Sequence, residues 1–413
     1  MGHIQDRWYK EVADPETSGK ALRVPTALHG AGLRYKVRYI DPDGQERSKS
    51  YPDKKLKDAR AFLAKVETDK LTGDYIDPAA GKATLREYCD NWLKGQSQDE
   101  GSQRTMRSKL EKQVYPSLGT RSLSTIGAAT IRDWLSWMNG NDISESHKSQ
   151  VFDLLSAVLS AAVDEKKIRT NPCKAKGVKK PVPDKRKITP WTEGRLRKIQ
   201  LALPPRQSIV IPLGSGLGLR QGEILGLSPD DIDREQMIVH IDRQLAYVGN
   251  RPLFKLPKGR KTRSVPISRG LLDVIDGHID AYPPVTITLP WGKTTGDPTS
   301  VRMLIATPAG RVDIGTEFNY RHWRPAFTTA GLTYVEGEDG MHALRHFYAS
   351  TLLARGVTIK ELADYLGHTD PGFTLRTYTH LLPSSHEQAR RAVDSLFKPR
   401  RPEKLVADPG TAC

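Results

Sequence analysis

The sequence predicts a mainly α chain with small β-sheets in three folded parts: a small N-terminal three-stranded sheet plus helix, a helical domain, and a mixed α/β domain. Three observations carry this. Apolar and basic residues alternate near the N-terminus, apolar residues at helical spacing dominate from about residue 85, and the pattern breaks at two Pro-containing stretches. At 413 residues the chain is long enough for two or three cores, and 37% hydrophobic with 27% charged excludes disorder throughout. Lys plus Arg number 64 against 48 Asp plus Glu, a net charge of +16 that suits a polyanionic partner.

Taken in order, Leu33, Tyr35, Val37 and Tyr39 alternate with Arg34, Lys36 and Arg38, which makes a strand with one apolar and one basic face. Asp41-Pro42-Asp43-Gly44 supplies a turn, and Gln45 to Tyr51 pairs back, carrying Arg47 and Lys49. Leu56, Ala59, Leu63 and Val66 follow at helical spacing and would cover the apolar face. Arg34, Lys36 and Arg38 on one face of so small a sheet suit a ribbon that reads a nucleic-acid groove, although exposed cations often serve only solubility. The boundary at Asp77-Pro78-Ala79-Ala80-Gly81 closes a first domain, 1–77.

The second domain, 82–175, opens with Thr84-Leu85-Arg86-Glu87, a capping box. Leu85, Tyr88, Trp92 and Leu93 form one buried stripe, and Ile131, Trp134, Leu135 and Met138 another. A third, from Val151 to Ala162, is ended by Asn171-Pro172. The aromatic residues fall on apolar stripes and are read as core. The run from Lys166 to Lys187 is the most basic in the chain, and its prolines give an extended linker at 176–187. Lys174, Lys176, Lys179 and Lys180 are placed to lie along phosphates. A third domain, 188–397, precedes a polar, Pro-rich tail, 398–413, expected to be disordered. No apolar run reaches the roughly 20 residues of a membrane span, and Asp6, Arg7 and Lys10 stand where a secretory signal would be apolar. Cys89, Cys173 and Cys413 match no zinc or disulfide spacing, which fits a cytoplasmic protein.

In the third domain Ile238, Val239 and Ile241 make a strand. Leu253 to Leu256 and Arg263 to Ile267 are expected as hairpin arms turning through Lys258-Gly259-Arg260-Lys261. Around them stand Arg220 in Gly218-Leu219-Arg220-Gln221-Gly222-Glu223, then His342 and Arg345 at i and i+3 of one helix face. His368 follows in Leu366-Gly367-His368, and Tyr378 in Thr377-Tyr378-Thr379-His380. Singly these are an ion pair, a core histidine and a packed tyrosine. The ordered set resembles the tyrosine recombinase family, the phage-integrase type, whose motifs are Gly-Leu-Arg-x-Gly-Glu, a hairpin Lys, His-x-x-Arg, Leu-Gly-His and a nucleophilic Tyr.

The resemblance implies a mixed α/β catalytic domain and an enzyme that cleaves and rejoins DNA site-specifically through a 3′-phosphotyrosyl link, without metal, cofactor or ATP. Arg220 and Arg345 would hold the phosphate, since planar, permanently charged forks suit the charge that builds there. Tyr378 would attack, His342 accept its proton, Lys258 or else Lys261 protonate the leaving 5′-oxygen, and His368 donate to the phosphate. Glu223 would orient its neighbours, and His346 and His380 would give structural support. The N-terminal sheet resembles an arm-site-binding domain, which implies an integrase acting on core and arm attachment sites. It would work as a homotetramer on double-stranded DNA in a bacterial host, with room for a recombination directionality factor. The helix carrying Ala389, Val393, Leu396 and Phe397 would pack in cis or in trans. A transposon-type recombinase or invertase would use the same chemistry. A non-enzymatic DNA-binding regulator would leave the Arg, His and Tyr set unexplained. A zinc hydrolase built on His342 and His346 lacks the intervening Glu of H-E-x-x-H.

Overall fold

The computed structural model describes residues 2–13, 21–77, 80–183, 189–307 and 309–378, with 390, 393–394 and 396–397. His380, the predicted tail and most of the predicted last helix lie outside the described residues. The chain divides into two compact units, Met1–Lys185 and Arg186–Cys413.

The first unit holds two cores. In the N-terminal one, β1 (His3–Asp6), β4 (Tyr35–Ile40) and β5 (Glu46–Tyr51) form an antiparallel sheet in the order β1-β4-β5, and α1 (Leu56–Leu71) covers one face. Tyr35, Val37 and Tyr39 are buried against Ala59 and Val66, as the alternation requires. A separate hairpin, β2 (Tyr9–Ala13) with β3 (Ala21–Pro25), is an addition to the expected sheet. Its residues, like those of β1, are too exposed to leave an apolar signature.

Register decides which face the cations of β5 take. Arg47 pairs with Tyr39 and Lys49 with Val37, so both stand on the helix side of the sheet. Arg47 binds Asp41 and Asp77, and the Lys49 ammonium lies over the Phe62 ring. The outer face instead sets His3 beside Arg38 and Ser48, and Gln5 beside Lys36 and Ser50.

The second core is helical: α2 (Leu85–Lys94), α3 (Glu100–Lys109), α4 (Tyr115–Leu118), α5 (Ala128–Asn139) and α6 (Glu145–Asp164). Thr84 and Glu87 close the capping box at α2. Trp134, Ile131 and the α6 stripe from Val151 to Ala162 fill the interior. α6 stops at Asp164, short of Asn171-Pro172. Asn171 reaches back to accept its place by donating to the Ser156 carbonyl at 2.8 Å. Arg169 pairs with Asp69 and the Lys166 ammonium donates to the Gly73 carbonyl, which joins this core to the end of α1. Of the predicted linker, the described residues 176–183 form no helix or strand. Val178 packs on the helical core and Lys180 pairs with Asp153 at 2.7 Å.

The second unit opens with α7 (Glu193–Ala202), α8 (Val210–Leu217) and α9 (Gln221–Leu225). The strands are β6 (Ile232–Asp233), β7 (Ile238–Ile241), β8 (Gln244–Val248), β9 (Arg251–Lys255) and β10 (Arg263–Pro266). Then come α10 (Arg269–Ala281), the hairpin of β11 (Val285–Pro290) and β12 (Pro298–Met303), α11 (Gly315–Phe318) and α12 (Arg324–Thr329). α13 (His342–Ala354), α14 (Ile359–Leu366) and α15 (Pro371–Tyr378) complete it.

The expected hairpin between β9 and β10 is not formed. β9 pairs with β8 across a turn at Gly249 (φ 64°), and β10 pairs with β7 in a sheet ordered β10-β7-β6. Two-residue turn chemistry at Gly249-Asn250 claims β9 locally, and its other edge bridges Trp291 through Phe254. Lys258 therefore sits on an exposed loop between two different sheets.

Candidate active site

Arg220 owes its position to the chain reversal before it. α8 ends at Gly218 in the left-handed region (φ 64°), where a Cβ would fall 2.4 Å from the Tyr348 ring on α13, so only glycine permits this approach. Leu219 is fully buried, and Arg220 then caps α9 in extended conformation. Glu223 closes the cap. Its carboxylate accepts from the Arg220 backbone N–H (2.9 Å) and from the Arg220 guanidinium (2.9 Å).

The same carboxylate takes a bidentate pair from Arg263 on β10, at 3.0 and 2.7 Å. Burial works to raise the Glu223 pKa, but the hydrogen bonds and charge of Arg263, then those of Arg220, outweigh it and leave the group at about 2. Arg263 also donates through Nε to the Tyr365 carbonyl at 2.7 Å, so one side chain braces both α9 and the end of α14.

α13 contributes Arg345, which is wholly enclosed. Its Nη1 donates to the Gly218 carbonyl at 2.8 Å, and its Nη2 donates to the Leu366 carbonyl and to His368 Nε2, the latter at 3.0 Å. Burial, with Arg220 and Arg263 nearby, holds its proton affinity well below the usual arginine range, and Glu223 opposes this. Gly367 ends α14 in the left-handed region and turns His368 inward. The other ring nitrogen, Nδ1, lies 2.6 Å from Thr374 Oγ1.

Tyr378, at the last turn of α15, is 1% exposed, and its hydroxyl is 2.7 Å from His346 Nδ1. His342 stands one turn back along α13, edge to face with His346 at 4.6 Å between ring centroids. Burial drives all three histidines down. His342 is lowered to about 4, aided by Arg345, Arg220, His368 and Lys258; His346 to about 3, aided by His342 and Arg345; and His368 to about 4, aided by Arg345, Arg220 and Arg263. Burial raises Tyr378 to about 12 against the pull of Arg345. At neutral pH phenol and imidazoles are uncharged, and the phenol shares a hydrogen bond with His346 Nδ1. The two α13 histidines also line a cavity of about 930 Å³ with Trp191, Arg195 and Lys198.

Arg220, Glu223, His342, Arg345, His368 and Tyr378, each singled out in the sequence, thus meet in one cluster, and Lys258 is near enough for its charge to act on His342. Three contacts were not legible. The phenol rests on His346, expected only as support, and not on His342. Arg263 and Thr374 join the network, although the sequence marks the first only as a strand residue. The one signal for Thr374 is its i, i+4 spacing from Tyr378.

The seven basic candidates lie elsewhere. Lys36 and Arg38 project from the outer face of the N-terminal sheet, Arg38 pairing with Glu46, while Arg34 is held by Asp6 and Asp53. Lys174 and Lys176 share a groove with Arg169 at the start of α5, and Lys179 lies just beyond, beside the paired Lys180.

Residues 198–385 match the Phage integrase family. The chain is 28% identical over 260 residues to a tyrosine recombinase XerC-like protein of Caldanaerobacter subterraneus subsp. tengcongensis, covering 59% of this chain and 65% of that protein, just under two thirds of its length. It is 25% identical over 381 residues to the integrase of Mycobacterium phage L5, covering 88% and 95%. Among solved structures it resembles the Tn1549 transposon integrase in complex with transposon right end DNA (TM-score 0.63, 17% identity, 76% of this chain and 100% of that one). It also resembles a lambda integrase tetramer bound to a Holliday junction (TM-score 0.55, 18% identity, 81% and 93%).

Proposed function

Since the chain belongs to the tyrosine recombinase (phage integrase) family of site-specific DNA recombinases, we propose that it integrates and excises a phage or other mobile element, using Tyr378 as nucleophile. One observation carries the assignment of residues: Arg220, Arg345, His342, His368 and Tyr378 come from well-separated stretches of sequence into a single polar cluster.

In this reading the Tyr378 oxygen attacks phosphorus and the bond to the 5′-oxygen breaks, leaving a 3′-phosphotyrosyl ester. The phenolic proton passes to the histidine pair of α13, of which His346 is in contact and His342 adjoins it. Lys258 gives a proton to the departing 5′-oxygen. Arg220 and Arg345 stabilise the charge that grows on the non-bridging oxygens, the part a metal ion plays elsewhere, and Glu223 holds Arg220 in place. The ester keeps the bond energy, so attack by the 5′-hydroxyl of another strand completes exchange without ATP.

We assign residues 1–77 to arm sites, through Lys36, Arg38 and their neighbours on the outer sheet face, and the remaining domains, with Lys174, Lys176, Lys179 and Lys180, to core sites. Arg34 would have to leave Asp6 and Asp53 to join them. Exchange of four strands calls for four nucleophiles, hence a homotetramer on DNA, and the lambda tetramer supports that reading. The test is a core-site duplex nicked so that cleavage is irreversible. The wild-type chain is expected to form a detergent-stable covalent adduct. The Tyr378→Phe variant should bind equally well and form none; an adduct with that variant overturns the assignment.

A further inference from the structure

We propose that Thr374 is a positioning residue of the cleavage centre: its hydroxyl decides which nitrogen of His368 carries the proton, and α15 couples that choice to the seat of Tyr378. The proposal rests on the cleavage reading above.

Thr374 is fully buried on α15, one helical turn before Tyr378. A helical threonine commonly turns its hydroxyl back to the carbonyl four residues earlier, and Thr377 does so, donating to Phe373 at 2.7 Å. Thr374 instead places Oγ1 2.6 Å from His368 Nδ1. The ring's other nitrogen, Nε2, lies 3.0 Å from Arg345 Nη2. A guanidinium can only donate, so Nε2 bears the lone pair, Nδ1 bears the proton, and the threonine oxygen accepts it.

This arrangement leaves His368 without an N–H for a phosphate oxygen. To donate from Nε2, a neutral His368 must move its proton from one nitrogen to the other, and Nδ1 then becomes an acceptor. Its partner must turn from acceptor to donor at the same moment. A hydroxyl does this by rotating about its Cβ–Oγ bond with no shift of heavy atoms. Burial first, then the cations Arg345 from α13, Arg220 before α9 and Arg263 from β10, with His346 of α13, keep the ring neutral, and Phe373 packs edge-on against it. A change of tautomer is therefore easier than a gain of charge.

The contacts also close on themselves. Thr374 binds His368, His368 binds Arg345, the next residue, His346, binds Tyr378, and Tyr378 lies one turn from Thr374. A disturbance at Thr374 is thus felt at the nucleophile by two routes.

The test compares the full-length wild-type chain with Thr374→Val, which keeps the shape without the hydroxyl, and Thr374→Ser, which keeps the hydroxyl. Thr374→Ala stands in should Val fail to fold. In the DNA-free protein, the ¹⁵N shifts of His368, assigned with His368→Gln, should report the Nδ1–H tautomer in wild type and Ser and a changed tautomer balance in Val. On the nicked core-site duplex, Val should form adduct about tenfold more slowly, with the acid limb of its pH profile displaced, and Ser should restore both. Unchanged shifts and rate in Val overturn the proposal, as does an equal loss in Val and Ser, which would mark a packing role. Failure of the wild-type chain to form a Tyr378 adduct would instead sink the cleavage reading, and the DNA-free shifts would still decide the tautomer.

Discussion

Glu223 shows how much one buried side chain can be asked to hold. It neutralises Arg263 and Arg220 where little water can, so Glu223→Gln leaves two guanidiniums facing each other without a counter-charge. Breaking such a buried group costs about 3–5 kcal/mol, to be read as a fall in the urea unfolding midpoint, and adduct formation should drop as Arg220 loses its anchor. The histidines give a pH signature. With His342 and His368 lowered to about 4 and His346 to about 3, the unfolded chain takes up protons near pH 6.5 while the folded chain does not. Their contribution to stability is complete above that pH and is lost as pH falls toward 4. Unfolding free energy measured at pH 7.5, 6 and 5 should decline, and decline less in His346→Phe. Of these side chains, the motif-bearing ones were readable because spacing and residue type carry them. Arg263, Thr374 and the seat of Tyr378 were not, because each makes contacts that depend on how separate elements meet.

Among elements, the decisive one is the α8–α9 junction. Gly218 has positive φ and a tyrosine ring where a methyl group would go, so Gly218→Ala should cost roughly 1–3 kcal/mol or more and displace the carbonyl that Arg345 holds. Gly356 also has positive φ (87°) but open space around it, and Gly356→Ala should cost only about 1 kcal/mol. Thermal unfolding of the two variants checks the difference. Amphipathic helices such as α2, α5 and α6 were legible from period alone. α3 was not, since it buries no residue, and neither was the pairing of β9 and β10, since strands of four or five residues say nothing about which edge they join.

At the scale of the whole molecule, the proposed assignment of arm sites to residues 1–77 and core sites to the rest predicts that deleting residues 1–75 abolishes integration of attachment-site DNA and spares cleavage of a core-site oligonucleotide; an unchanged integration rate would remove that assignment. Shifts of composition and period suggest three parts, where the chain divides into two compact units, Met1–Lys185 and Arg186–Cys413; the grip of Arg169 and Lys166 on the end of α1 was not legible, being made by charges distant in sequence. The enclosure of Tyr378 has one more consequence. A reagent that nitrates phenols should label Tyr320, which is 78% exposed, and pass over Tyr378 until cognate duplex is added. A nucleophile of the kind proposed for Tyr378, kept sheathed in this way, would drift past any amount of bystander chromosome without scarring it.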